Sequence, residues 1–156
     1  MKNKLVTPIL IACALFLGLN TGAGLYQHLF DIPKMFASPA AMTFASNNDV
    51  GQAQYFWIPL HILVLVTLIL SAVLNWSNPK RKKLVLTALG IYLYISVVSI
   101  WFAYKLTVFA AMPDTAEFYS QTKQWLALSW HRPILQIICE VILLIAISKP
   151  KIDAHT

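Results

Sequence analysis

Four long apolar stretches dominate this chain and limit what it can fold into. They are Leu5–Phe30, Trp57–Trp76, Leu84–Tyr104 and about Leu126–Ile147. Each can cross a bilayer as a helix, because a helix rises about 1.5 Å per residue and the hydrocarbon core is about 30 Å thick. These stretches and their loops take up the whole chain of 156 residues. The sequence therefore predicts an all-α fold, an integral membrane four-helix bundle that forms a single domain over residues 1–156.

The charges are distributed as in a membrane protein and not as in a nucleic-acid-binding protein. Only 12% of the residues are charged, against 58% hydrophobic. Eight of the twelve Lys and Arg residues flank one end of the predicted spans, namely Lys2, Lys4, Lys80, Arg81, Lys82, Lys83, Lys149 and Lys151. The positive-inside rule then places both termini in the cytoplasm. We expect an integral protein of the bacterial inner (plasma) membrane, surrounded by lipid and without a nucleic-acid partner; its oligomeric state stays open.

Ionisable and polar side chains collect in the other half of the membrane. Threading the chain through the bilayer brings to that half His28, Asp31, His61, Lys105, His131, Arg132 and Glu140. Because burial of charge in lipid is costly, ionisable residues within spans are rare and often functional. The sequence therefore predicts a polar pocket in the outer half of the bundle.

Helical periodicity selects the side chains that we expect in this pocket. Arg132, Gln136 and Glu140 follow one another at intervals of four on the last span, and Asn20, His28 and Asp31 lie along one stripe of the first. Glu140 lies about 15 Å inside the outer interface, near the midplane. The candidate catalytic residues are His61, Glu140 and Arg132. The candidate binding residues from these faces are Asn20, His28, Asp31, Trp101, His131 and Gln136.

Each candidate also has a structural interpretation, and the chemistry stays open. Glu140 could hydrogen-bond a neighbouring helix, and Trp101 could belong to an interfacial aromatic belt. No pair of histidines has the close helical spacing of a metal site, and no nucleotide-binding motif appears. A haem between His61 and either His28 or His131 is a weaker alternative. General acid–base chemistry on an apolar small molecule fits best, with no cofactor.

Two short motifs resemble a known family. The run Gly22-Ala-Gly-Leu-Tyr-Gln-His-Leu-Phe-Asp-Ile-Pro33 and the Trp130-His-Arg132 entry to the last span are similar to motifs of the anthrone-oxygenase-like family of small four-span membrane proteins. The order of spans and the chain length agree as well. In the first motif the acidic residue and proline are expected to end the first helix.

The resemblance implies oxidation of a lipophilic aromatic substrate by O₂ without metal or flavin. For characterised members the substrate is an anthrone, and a base removes its acidic ring proton. By position the resemblance points to Tyr26, Asp31 and Arg132. Two alternatives stay open: a non-enzymatic membrane module, such as a small transporter subunit or partner-binding protein, and a haem or quinone redox protein.

Overall fold

The described part of the chain is helical from end to end. The computed structural model describes the backbone of residues 2–150, and the side chains of residues 5–48 and 53–150, and within that part it contains no strand. Four helical segments are long and apolar enough to cross a membrane, which agrees with an integral membrane protein. They are Leu5–Met35, Ala53–Leu74, Pro79–Ala110 and Ala116–Ser148. The all-α prediction with four apolar spans is confirmed.

Within the described backbone, seven α-helices and two short π-helical turns form these segments and the connection between the first two. The helices are α1 (Lys2–Tyr26), α2 (Ile32–Met35), α3 (Pro39–Ala45), α4 (Gly51–Leu74), α5 (Pro79–Ala110), α6 (Ala116–Ser129) and α7 (His131–Ser148). π-Helical turns at Gln27–Asp31 and Ser46–Val50 join α1 to α2 and α3 to α4. The first, third and fourth segments are therefore longer than the predicted spans, mainly at the end where α3 and α6 lie.

The first segment does not stop at its acidic residue and proline. A π-helical turn spans Gln27–Asp31, and the Ile32 amide donates to the Gln27 carbonyl five residues back. Pro33 then lies in the first turn of α2, where its missing N–H leaves no bond unmade. The prediction that this motif ends the first helix is therefore wrong, because the wider turn places the proline where a helix tolerates it.

The four long segments close into a ring. α1 packs on α4 and α7, and α5 packs on the same two helices. The residues that begin α1, join α4 to α5 and end α7 meet at one end, which we call the basic end. The other end, which carries α3 and α6, is called the loop end.

Two apolar clusters fill the bundle at different depths. The larger one runs through its middle and basic half and includes Leu10, Leu17, Leu68, Val85, Tyr92 and Leu143. The smaller one, the loop-end cluster, gathers Ile32, Met35, Phe36, Met42, Ala45, Phe102, Phe109, Phe118 and Trp125. Many large apolar side chains face outwards, among them Leu15, Val97 and Ile100, at 64%, 67% and 72% exposed. Such a surface suits lipid and not water.

Arg81 ties three helices together at the basic end. Its side chain is only 3% exposed, although it lies in the run of basic residues between the second and third spans. Nε donates to the Lys149 carbonyl at 3.0 Å, and Nη2 donates to the Ile147 carbonyl at 3.3 Å, so the guanidinium caps α7. Nη1 lies 3.3 Å from the Thr7 hydroxyl of α1.

Candidate functional site

A line of polar side chains occupies the interface between α1 and the last segment. Gln136 Nε2 donates to Asn20 Oδ1 at 2.5 Å. About two turns nearer the loop end, His28 Nε2 and the Ser129 hydroxyl share a hydrogen bond of 3.0 Å. We call this set, together with Glu140, the polar seam. Asn20, His28, Ser129 and Gln136 are all buried.

Two glycines of α1 lie opposite side chains of the polar seam. A β-carbon at Gly18 would lie 3.8 Å from Glu140 Oε1, and one at Gly24 would lie 3.5 Å from Gln136 Oε1, both ordinary contact distances. The Gly24 carbonyl also accepts from His28 Nδ1 at 2.9 Å. Glu140 and Gln136 thus pack directly against α1.

Several buried polar atoms of this region have no hydrogen-bond partner within the described residues. They are Asn20 Nδ2, His131 Nε2, Arg132 Nε and Glu140 Oε2. A buried polar atom without a partner costs about 1–3 kcal/mol. These four atoms are therefore where the bundle has capacity to bind water or a polar group.

The Arg132 guanidinium packs against aromatic side chains of the loop-end cluster. The centre of its guanidinium lies 4.4 Å from the Phe102 ring and 5.6 Å from the Trp125 ring. Nη1 makes only a long contact of 3.5 Å to the Ser99 hydroxyl. His131 lies beside the same cluster, 5.7 Å from Phe102 between ring centroids. The cation is thus held mainly by aromatic faces.

His61 has its own partner on the opposite side of the bundle. Its Nδ1 and the Tyr92 hydroxyl share a hydrogen bond of 2.6 Å between α4 and α5. Trp57, one turn nearer the loop end on α4, lies 6.2 Å from the His61 ring. The half-buried imidazole is therefore fixed in orientation by Tyr92.

A cavity of about 700 Å³ opens beside Trp57 at the loop end. It lies between the end of the first segment, α3 and the start of α4, and we call it the loop-end cavity. Its walls include Tyr26, Gln27, Asp31, Lys34, Phe44, Phe56 and Trp57. Cavities of a few hundred to about 1,000 Å³ with apolar walls and a few polar groups are typical of small-molecule sites.

The single predicted pocket is thus divided into three neighbouring groups. Asn20, His28, Gln136 and Glu140 belong to the polar seam, and Arg132 and His131 lie beside it, between Ser129 and Gln136 along the last segment. Tyr26 and Asp31 line the loop-end cavity, and His61 lies behind Trp57. Trp101 is not brought to any of these groups: it is 47% exposed on the outside of the bundle, 5.9 Å from the Lys105 ammonium.

Sequence reasoning missed the hydrogen-bond partners of His28 and His61. Tyr92 and Ser129 are each one of several hydroxyl residues in apolar helices, and periodicity alone did not separate Tyr92 from Tyr94. A further cavity residue, Lys34, was also missed as a wall residue. Its helical spacing, three residues after Asp31, is the signal that could have identified it.

The described residues provide no group of side chains arranged as metal ligands. Among them, no three His, Cys, Asp or Glu side chains are grouped so that they could hold a metal ion. Cys13 and Cys139 are both buried free thiols in the larger apolar cluster, as expected for packing residues.

Comparison with known proteins finds no matching family model, no matching curated protein and no matching solved structure. The family resemblance of the two motifs therefore supports a function only as a proposal.

Proposed function

We propose that the protein is an integral protein of the bacterial inner membrane that takes a lipophilic aromatic molecule from the bilayer into the loop-end cavity. The basic end, with both termini, faces the cytoplasm. The observation that supports this best is the cavity itself: it has aromatic walls at Tyr26, Phe44, Phe56 and Trp57 and a carboxylate at Asp31. Aromatic walls suit a flat apolar ligand, and the few polar groups would fix its orientation.

His61 is the best placed base for chemistry on such a molecule. Trp57 lines the cavity and lies next to the imidazole, so a small displacement of the indole would expose His61 to a ligand. In the tautomer that serves as a base, Nδ1–H donates to the Tyr92 oxygen and the unprotonated Nε2 takes the proton. A base whose orientation is fixed by a third group is the arrangement used throughout acid–base catalysis.

The reaction that we propose is the cofactor-independent oxygenation implied by the family resemblance. His61 removes a proton from an activated ring CH₂, and the positive charge of Arg132 favours the resulting anion. The anion reduces O₂ and forms a carbon–oxygen bond, and the proton returns to give a hydroperoxide. Loss of one water then leaves a ketone, so that one O₂ is consumed and one quinone and one water are formed.

Oxygen uptake by the purified protein tests this proposal. Protein in lipid nanodiscs is given an anthrone, with chelator present and no flavin added. We expect His61→Gln to lower the rate by a factor of about 10²–10⁴, as for loss of a general base. Trp57→Leu should weaken substrate binding, whereas Trp101→Leu, an equal change outside the cavity, should leave the rate as it is.

A binding module without chemistry is the second candidate, and one observation favours it. The polar side chains of the bundle largely satisfy one another, as in the pairs Asn20–Gln136, His28–Ser129 and His61–Tyr92. Quenching of tryptophan fluorescence by the anthrone, lost in Trp57→Leu and unaccompanied by oxygen uptake, would favour this candidate. Wild-type oxygen uptake by His61→Gln would remove His61 as the base.

A further inference from the structure

We propose that the polar seam is a water-accessible proton path that connects the Glu140 carboxyl with the loop end of the bundle and is closed toward the basic end. The proposal does not depend on His61 acting as a base or on any substrate in the loop-end cavity. It concerns the interface of α1 with α7, whereas His61 lies between α4 and α5.

Polar groups follow one another along the seam from the midplane to the loop end. Glu140 lies against Gly18, and Gln136 lies one turn further out on the same face of α7. Gln136 is bonded to Asn20, and His28 is bonded to Ser129 beyond it. Glu140 and the Asn20–Gln136 pair thus occupy neighbouring turns, and the His28–Ser129 pair follows about two turns further out, so water would have to bridge the interval between the pairs.

Unpartnered atoms along this line indicate where water would bind. Asn20 is fully buried, yet its Nδ2 has no partner within the described residues, and the same holds for the buried Glu140 Oε2. Arg132 Nε, near the loop end of the line, is also without a partner there. Buried polar groups are normally satisfied by protein or by ordered water, so these atoms favour a hydrated seam.

The same interface is apolar on the other side of Glu140. From Leu17 back to Leu10, the α1 side chains that face inwards are buried members of the larger apolar cluster. They face Leu143 and Ala146 of α7, which are also fully buried. About 12 Å of this apolar packing separates Glu140 from the end of α7, by the rise of a helix. Water is therefore excluded from that half of the interface.

A rival route lies on α4 in the basic half. Ser71 Oγ and Asn75 Oδ1 are buried and lack partners within the described residues. Other polar contacts of this stretch stay within α4: Thr67 donates to the Leu63 carbonyl, and Asn75 donates to the Ser71 carbonyl. Thr67 also lies close to the Cys13 thiol of α1. We assign the path to the seam because its polar groups continue to the loop end, and the α4 groups are the competing route that the experiment must exclude.

Titratable groups lie toward the bundle interior on each of the four long segments. They are Cys13 and His28 on the first segment, His61 on α4, Tyr92 on α5, and Cys139, Arg132 and His131 on α7, and of these Cys13 and Cys139 lie close to Glu140. In the described residues Arg132 is the one permanent cation of this set, and it lies at the loop-end side of Glu140.

Cysteine scanning with a small, membrane-impermeant thiol reagent tests the path. Single substitutions Asn20→Cys, Gln136→Cys and Glu140→Cys are made in a Cys13→Ala, Cys139→Ala background, with Leu143→Cys as the matched control three residues further along α7. Ser120→Cys and Ser77→Cys, both at exposed positions, report which side of the membrane each end faces. We expect all three seam positions to react from the side that labels Ser120→Cys, and about tenfold or more faster than Leu143→Cys.

Two results would overturn the path. One is an unreactive Glu140→Cys in a variant that purifies as a folded protein, and the other is reaction of Glu140→Cys from the side that labels Ser77→Cys. Loss of that reaction on adding Ser71→Ala and Asn75→Leu would then assign the route to α4.

The native carboxyl gives an independent measurement. A lipophilic carbodiimide modifies protonated carboxyl groups, and mass spectrometry locates the product, with Glu140→Gln as the control that must stay unmodified. In vesicles whose internal and external pH are set separately, the rate of Glu140 modification should fall as pH rises on the loop-end side. It should not change with pH on the basic-end side. Dependence on the basic-end side alone, or on neither side, contradicts the proposal.

Discussion

Paired polar side chains are the main specific contacts between the long helices at the residue scale. Asn20 with Gln136 joins α1 to α7, and His61 with Tyr92 joins α4 to α5. Lipid offers no alternative partner to such groups, so each pair favours one rotation of its helices over the others. The pairs therefore specify packing whether or not they also take part in chemistry.

Substitutions at Asn20 and Gln136 should lower the free energy of unfolding, and their effects should not be additive. Asn20→Leu leaves the buried Gln136 amide unpaired, whereas Asn20→Leu combined with Gln136→Leu removes both partners. We expect a coupling of about 1 kcal/mol in a double-mutant cycle, the usual scale for interhelical hydrogen bonds in membranes. Equilibrium unfolding in mixed micelles measures it.

An exposed amide provides the control for that cycle. Gln121 donates to Glu117 at 2.8 Å on the surface of α6. Gln121→Leu removes a comparable hydrogen bond and should change the free energy of unfolding by less than about 0.5 kcal/mol. Additive effects of the two seam substitutions would show that the pair contributes no specific interaction.

The ends of the helices are fixed by side chains at the element scale. Asn78 caps α5, since its Oδ1 accepts from the Arg81 amide at 3.2 Å, and its Nδ2 donates to the Pro150 carbonyl. Arg81 then donates to carbonyls at the end of α7. One short turn thus starts α5 and satisfies the end of α7, which gives two helices a common boundary.

Arg81→Gln should lower thermal stability clearly more than Lys83→Gln. Both substitutions remove one positive charge from the same turn, but Lys83 is exposed and Arg81 is buried with three acceptors. Loss of charged hydrogen bonds worth about 1.5–3 kcal/mol each explains the expected difference. Melting followed by size-exclusion chromatography in detergent compares the two variants, and equal melting temperatures would contradict the role of Arg81.

The whole molecule is a ring of four segments with unequal ends. The basic end is closed by the larger apolar cluster and by Arg81, while the loop end contains the polar seam, the aromatic cluster and the cavity. α5 alone, at 32 residues, is about 48 Å long, which exceeds the thickness of the hydrocarbon core. Part of the loop end therefore reaches the headgroup region or lies beyond it.

Labelling at two exposed serine positions should show which end of the bundle lies on which side of the membrane. We expect Ser120→Cys to react with an impermeant thiol reagent in intact cells, and Ser77→Cys to react only after the cells are opened. The reason is the excess of Lys and Arg at the basic end, eight residues against four. Reaction of Ser77→Cys in intact cells would invert the proposed topology.

The all-α class and the four apolar spans could be predicted from the sequence, whereas the neighbours of each helix could not. Hydropathy indicated four spans, and intervals of four placed Gln136 and Glu140 on one face. Trp57 and Trp101 look alike in sequence as interfacial residues, yet one lines a cavity and the other faces outwards. The ring order and the rotation of each helix decide such differences, and both depend on contacts between residues far apart in the chain.

Arg81 has a consequence for the order of events during synthesis. The α7-end residues that accept its hydrogen bonds, Ile147 and Lys149, are translated after the whole of the third span. Until then the guanidinium has no acceptor from that end, because the chain is made from the N-terminus onwards. Arrival of the last helix therefore completes this contact, and a chain truncated before α7 would leave the Arg81 guanidinium to be hydrated at the basic end.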